Sequence, residues 1–150
     1  MKIRPAAPGD EVALFSLIQA LARFEKLEAQ VTGSPAALRE HLFGARPACE
    51  ALLAEEDGVA VGYALFFTTY STFLTKPGLW LEDLYVLESH RRRGIGKAML
   101  VEMKRLAEAR GAGRLEWSVL DWNANAITLY EAFGATVMPD WRICRVTFDG

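Results

Sequence analysis

The stretch SHRRRGIGKAML, Ser89 to Leu100, sets three arginines and two glycines where a strand pattern hands over to a helix pattern. Before it, WLEDLYV (Trp80 to Val86) reads as a strand; after it, apolar residues recur at helical spacing from Gly96 to Arg110, closed by Gly111. A helix N-terminus presents unpaired N–H groups and about half a positive charge, and glycine lets an anion approach that backbone. Phosphate is the natural ligand of such a turn. Two common phosphate-binding patterns do not fit it. A P-loop needs four residues between its glycines and then Lys-Ser/Thr, whereas one residue separates Gly94 from Gly96 and Lys97 is followed by Ala98. A dinucleotide fingerprint needs a small residue where Met99 stands and a tight turn from the strand, and the run from Val86 to Gly94 is too long for that.

Working outward, Arg114 to Val119 reads as the strand that completes a right-handed parallel βαβ unit. Upstream, Lys2 to Arg4 is a short strand, EVALFSLIQALARFEKL a helix, and Ser34-Pro35 the capped start of a second helix ending near Phe43-Gly44. Two strand-like runs flank Glu56-Asp57-Gly58, where Asp-Gly supplies the positive φ of a tight hairpin. Downstream, Asn123 to Phe133 is a helix closed by Gly134, and Trp141 to Phe148 (WRICRVTF) is the last strand. The expected fold class is α+β, a mixed sheet with helices on both faces, in one domain spanning residues 1–150.

Composition narrows the function. The 150-residue chain has a net charge of −2 and 24% charged residues, so as a whole it is no polyanion binder and the arginine cluster acts locally; no nucleic-acid partner is expected. The two cysteines, Cys49 and Cys144, and the two histidines, His41 and His90, lack metal-ligand spacing, so no metal is expected. The N-terminus shows no apolar signal region and no apolar run approaches a membrane span, which gives a cytoplasmic expectation with no membrane partner.

The ordered set formed by ARFEKLEAQV after the first helix, Phe66 to Tyr70, LEDLYV, RRRGIG, EWSVLDWNANAITLYEAFGA and WRICRV resembles the GNAT acetyltransferases, and among them the spermidine/spermine (diamine) N-acetyltransferase group. The resemblance covers nearly the whole chain. It implies the GNAT fold, a central, mostly antiparallel twisted sheet, and acetyl-coenzyme A as co-substrate. Arg91, Arg92, Arg93, Gly94, Ile95, Gly96 and Lys97 would hold its pyrophosphate, and the backbone of Leu84, Tyr85 and Val86 its pantetheine arm with Asn123. Many relatives carry glycine where this chain has Arg92, which is expected to face solvent. The resemblance also implies a homodimer to which the last strands contribute, and the apolar WRICRVTF run suits such an edge.

Asn123, Ala126 and Tyr130 share one helix face. On that face Tyr130 alone would read as a core aromatic; the resemblance makes it the general acid that protonates the coenzyme A thiolate. Acetyl transfer needs a neutral amine, and deprotonating a lysine-type amine at pH 7 costs roughly 4.6 kcal/mol, so a base is useful. Glu82 is the expected base, directly or through water, with Asp83 orienting a cationic substrate. As strand neighbours, the two should point to opposite faces, so that only one lines a given cleft. Glu25 and Glu28 sit where this group of relatives lines the acceptor site, and also read as the solvated end of a helix. Trp80, Tyr70 and Trp141 offer aromatic faces to an ammonium. The expected acceptor is a small polyamine- or diamine-like cation; a thialysine- or lysine-like amino acid is the alternative, with Arg23 or Arg142 for its carboxylate. A reading of another class is an acyl-coenzyme A sensor without turnover.

Overall fold

Lys2–Pro5 (β1), Glu11–Phe24 (α1), Pro35–Phe43 (α2), Glu50–Glu56 (β2), Val59–Ser71 (β3), Lys76–Val86 (β4), Ile95–Ala109 (α3), Leu115–Glu116 (β5) and Ala124–Phe133 (α4) follow one another along the computed structural model, which describes residues 1–149. The five strands form one open sheet in the order β1-β2-β3-β4-β5, antiparallel except for the parallel β4–β5 pair. This is the mixed, mostly antiparallel α+β sheet that the sequence leads one to expect. Two compact units divide the chain, Met1–Ser118 with the whole sheet and Val119–Gly150 with α4.

Local chemistry explains most boundaries. Ser34 accepts a hydrogen bond from the Ala37 N–H at the start of α2, with Pro35 at its first position. Asp57 and Gly58 both adopt positive φ, 52° and 78°, as the two-residue β2–β3 hairpin requires. In the second unit, the Asn123 side chain accepts from the Ala126 N–H and caps α4, and Gly134 closes it at φ 109°.

The sheet is apolar on both sides because its central strands alternate into two apolar sets. Leu53, Tyr63, Leu65 and Tyr85 form one buried cluster with Leu14 and Leu17 of α1 and Leu42 of α2. The intervening residues Leu52, Ala64 and Phe66 face the other way, toward α3, whose Ile95, Met99, Leu100 and Met103 are at most 2% exposed. Each fully buried side chain of this size contributes about 1.5–3 kcal/mol. Helices therefore cover both faces.

Three strands differ from expectation. β4 begins at Lys76 rather than Trp80, because it continues the long hairpin with β3. β5 is limited to Leu115–Glu116, paired only with Leu79 and Trp80. Trp141 to Phe148 forms no strand: apolar, β-prone sequence becomes a strand only beside a hydrogen-bonding neighbour, and among the described residues none pairs with it.

The approach of α3 depends on Gly62. A Cβ there would lie 2.8 Å from the Tyr85 carbonyl oxygen and 3.2 Å from Met99 Cε. Gly62→Ala is accordingly expected to destabilise the fold by about 1–3 kcal/mol. Thermal unfolding followed by circular dichroism reads this as a fall of several degrees in Tm, and an unchanged Tm would contradict the close packing.

Candidate active site

The site begins with an irregularity in β4. Leu65 of β3 pairs with Asp83 while Phe66 pairs with Leu81, so Glu82 is an extra residue, a β-bulge. Directly paired residues share a face, which places Asp83 with Leu65 on the α1 side and Leu81 with Phe66 on the α3 side. Alternation from Leu81 then brings Glu82 to the α1 side as well. The expectation that Glu82 and Asp83 face opposite ways is corrected: regular alternation fails at the bulge, and both carboxylates serve one side of the sheet.

Their surroundings differ. Asp83 is half-buried and accepts a 2.9 Å hydrogen bond from the hydroxyl of Tyr63, itself 0% exposed. Glu82 is exposed and accepts a 3.0 Å bond from the Trp80 indole N–H. The Asp83 carboxyl is raised to about 6: burial is the main cause, the Tyr63 hydroxyl opposes it, and the charges of Glu82 and Glu25 add to the rise. Glu25, just past α1, is also raised by burial. Burial and the Asp83 charge hold the Tyr63 phenol far above its ordinary range, so it stays a donor. Glu28 lies apart from burial, in an exposed turn Glu28–Gln30.

Beyond Trp80, no described strand pairs with the outer edge of β4, from Leu81 to Val86. An extended ligand can hydrogen-bond to a free strand edge as another strand would. Leu84, Tyr85 and Val86 lie on this stretch, and it leads into the turn.

At the turn, Gly94 is the residue before α3 and adopts φ 78°, a left-handed conformation that glycine takes without strain. No side chain caps the helix, and its first internal backbone bond runs from the Ala98 N–H to the Gly94 carbonyl, so the amides of Ile95, Gly96 and Lys97 precede the ladder. A Cβ on Gly94 would meet nothing within 4 Å, and one on Gly96 only Val86 Cγ2 at 3.9 Å. Open space above uncapped amides, with exposed Arg92, Arg93 and Lys97 around it, fits a diphosphate.

Arg91 is turned elsewhere. Its Nε donates to the Val86 carbonyl at 3.0 Å, and its guanidinium lies 4.4 Å from the Phe24 ring centroid and 5.5 Å from that of Tyr85. It braces the end of α1 against the end of β4, beside a cleft of about 520 Å³ lined also by Arg23, Phe24 and Glu88. Arg92 is exposed, as expected, yet adopts φ 64°. Glycine adopts that backbone with less strain than arginine does.

In the second unit, α4 carries a half-buried Tyr130 seven residues after its cap Asn123, and Trp141 is 77% exposed. Among the described residues, no group of three His, Cys, Asp or Glu is placed to hold a metal ion, and no helix is long and apolar enough to cross a membrane. Cys49 and Cys144 are free thiols. Sequence reasoning missed Tyr63. Tyr63 is a lone hydroxyl in the apolar run GYALFF, which is a signal only once the register with Asp83 is known.

An uncapped helix start, a strand edge that no described strand pairs and a set of carboxylates thus lie along one stretch of chain, from Leu81 to Lys97. Residues 16–135 match the acetyltransferase (GNAT) family, and the chain belongs to that family and is an acetyl-transferring enzyme. It is 38% identical to the thialysine N-epsilon-acetyltransferase of Bos taurus over 99% of its own length and 92% of that protein's. It is 47% identical to an L-ornithine N5-acetyltransferase of Arabidopsis thaliana over 93 residues, 62% of this chain and 41% of that protein. Among solved structures, a ribosomal-protein-alanine N-acetyltransferase from Brucella melitensis biovar Abortus 2308 superimposes with a TM-score of 0.76 at 26% identity, covering 99% of this chain and 100% of that one.

The strain on Asp83 has a pH signature. A carboxyl raised in the fold above its unfolded value favours folding below about pH 4, and that contribution is lost as pH rises through about 6. Asp83→Asn keeps an acceptor for Tyr63 and removes the charge. Its Tm should exceed wild type at pH 8 by an amount corresponding to about 2 kcal/mol and show little gain at pH 4. An equal gain at both pH values would show that the Asp83 charge is not under strain.

Proposed function

We propose that this acetyltransferase uses acetyl-coenzyme A to acetylate the terminal primary amine of a small cationic acceptor, and that a lysine- or ornithine-like amino acid stands ahead of a polyamine. The observation that carries the reading is the bulge, which sets Glu82 and Asp83 on one side of a free strand edge leading to the uncapped helix. Support for an amino acid comes from the relatives named for thialysine and ornithine, and from Arg23 and Arg91, two cations lining one cleft where a carboxylate would be welcome. The acidic side favours any extended amine and keeps the polyamine reading as the second.

Each part of the chain then has a task. The amides of Ile95, Gly96 and Lys97, with Arg92 and Arg93, hold the diphosphate, and the β4 edge at Leu84 to Val86 aligns the pantetheine and polarises the thioester carbonyl. Asn123 steadies the same arm. Glu25, Glu82 and Asp83 attract the ammonium, and the Glu82–Asp83 pair receives its proton. The neutral amine attacks the thioester carbon, the C–S bond breaks, and Tyr130 protonates the departing thiolate. Glu28 and Trp141 border the acceptor, and no metal takes part. The enzyme acts as a cytoplasmic homodimer, its exposed Trp141, Ile143, Val146 and Phe148 covered by the second copy.

Thiol release from acetyl-coenzyme A tests the reading. Ornithine, lysine and thialysine should give higher kcat/KM than putrescine, spermidine or spermine. The reverse order would restore the polyamine, and binding of coenzyme A with no stimulation by any amine would leave only a sensor. Tyr130→Phe should lower kcat by about 10²–10⁴ with coenzyme A affinity little changed; full turnover would remove its role. Light scattering should give twice the chain mass, and a one-chain mass would overturn the dimer.

A further inference from the structure

We propose that Tyr63 is a positioning residue and that the carboxylate it holds, Asp83, is the group that takes the proton from the acceptor ammonium. The proposal rests on the transfer reading above and decides what that reading leaves to the pair.

Tyr63 lies wholly inside the core between the sheet and α1, where phenylalanine would fill nearly the same volume. Its hydroxyl is there for one partner, Asp83 Oδ2 at 2.9 Å. A buried hydroxyl without a partner is costly, so the bond also fixes the carboxylate's position. The bulge aims Asp83 at this hydroxyl, since only the register shift brings residue 83 to the face of Leu65 and Tyr63. Glu82, by contrast, is exposed and tied at Oε1 to the Trp80 indole.

Base strength also supports Asp83. A proton acceptor is most effective when its own affinity for the proton lies near the working pH, and burial brings Asp83 to about 6. The groups that act on it are Tyr63 from β3, Glu82 from its own strand and Glu25 from the segment after α1; Tyr85 lies two residues further along the same strand, its ring centroid 6.5 Å from that of Tyr63. Both neighbouring charges are negative and oppose ionisation. The Tyr63 hydroxyl alone among these favours it.

The step balances simply. One N–H bond of the ammonium breaks and its proton passes to Asp83, directly or through one water, leaving a neutral amine and a neutral carboxyl. The N–C bond forms, the C–S bond breaks, and Asp83 later returns its proton to solvent. Tyr63 keeps its own proton throughout.

The test is the pH dependence of kcat/KM, joined to a titration of the resting protein by ¹³C NMR of the Asp83 carboxyl. Tyr63→Phe should move the acid limb upward by about one pH unit and, because the carboxylate loses the bond that positions it, lower kcat on the alkaline plateau by about threefold or more. The NMR midpoint should rise by the same amount. Asp83→Asn should abolish the limb and lower kcat/KM on the plateau, while Glu82→Gln should leave the limb in place. A limb and midpoint unmoved in Tyr63→Phe, or a limb lost in Glu82→Gln and kept in Asp83→Asn, would overturn the assignment. Should NMR show the coupling while no amine is acetylated by the wild type, the transfer reading fails and the Tyr63–Asp83 pair stands. Transfer without the coupling sinks the pair alone.

Discussion

One extra residue in one strand organises this protein. Without the bulge at Glu82, β4 would alternate regularly, and Asp83 would point toward α3 with Leu81, among Phe66 and the methionines of that helix. A carboxylate there would meet apolar side chains alone, at a cost of several kcal/mol. The register shift instead gives it a hydroxyl partner and two acidic neighbours on the α1 side. It also gathers Glu82 and Asp83 on one side, which no regular strand can do for adjacent residues. Bulges are features that re-aim side chains, and here the aim produces a site.

The other end of β4 obeys a different constraint. Gly94 must take positive φ, and Ile95 must be buried, for α3 to start where its first amides look into open space. Arg91 contributes by bracing rather than by reaching outward. Its bond to the Val86 carbonyl and its seat on Phe24 join the last turn of α1 to the end of the strand, and Glu25 follows Phe24 directly. One arginine thereby links the segment that carries Glu25 to the strand that leads into the uncapped start of α3.

Much of this was legible beforehand. The Asp57-Gly58 hairpin, the Ser34-Pro35 helix start, the Gly134 helix end and the strand–turn–helix at Gly94 are local statements, dictated by backbone preferences of the residues themselves. What escaped is non-local. Whether Trp141 to Phe148 forms a strand depends on a partner that its own residues do not encode. The bulge depends on the register between β3 and β4, and from sequence Glu82-Asp83 looks like any alternating pair. The φ of Arg92 is hidden for a related reason: arginine gives no hint of a left-handed backbone, and only the demands of the turn put it there. The seat of Arg91 on Phe24 is non-local in the same way, since the two lie far apart in the chain.

The acidic side also sets a conflict between holding a cation and deprotonating it. The charges of Glu82 and Glu25 oppose ionisation of Asp83, and an ammonium bound beside them, as proposed, would relieve that repulsion and be held the more tightly for it. The same relief would lower the proton affinity of Asp83 and weaken it as a base. A neutral donor escapes the conflict, because the Tyr63 hydroxyl favours the Asp83 carboxylate by a fixed amount whether or not the cation is present. If Asp83 takes the proton as proposed, its loss from the ammonium would remove the positive charge, restore the repulsion and raise the proton affinity of Asp83 as it receives that proton. On the proposed assignment the carboxylate would become a better base as the amine becomes neutral, while its bond from the wholly enclosed Tyr63 phenol holds its place.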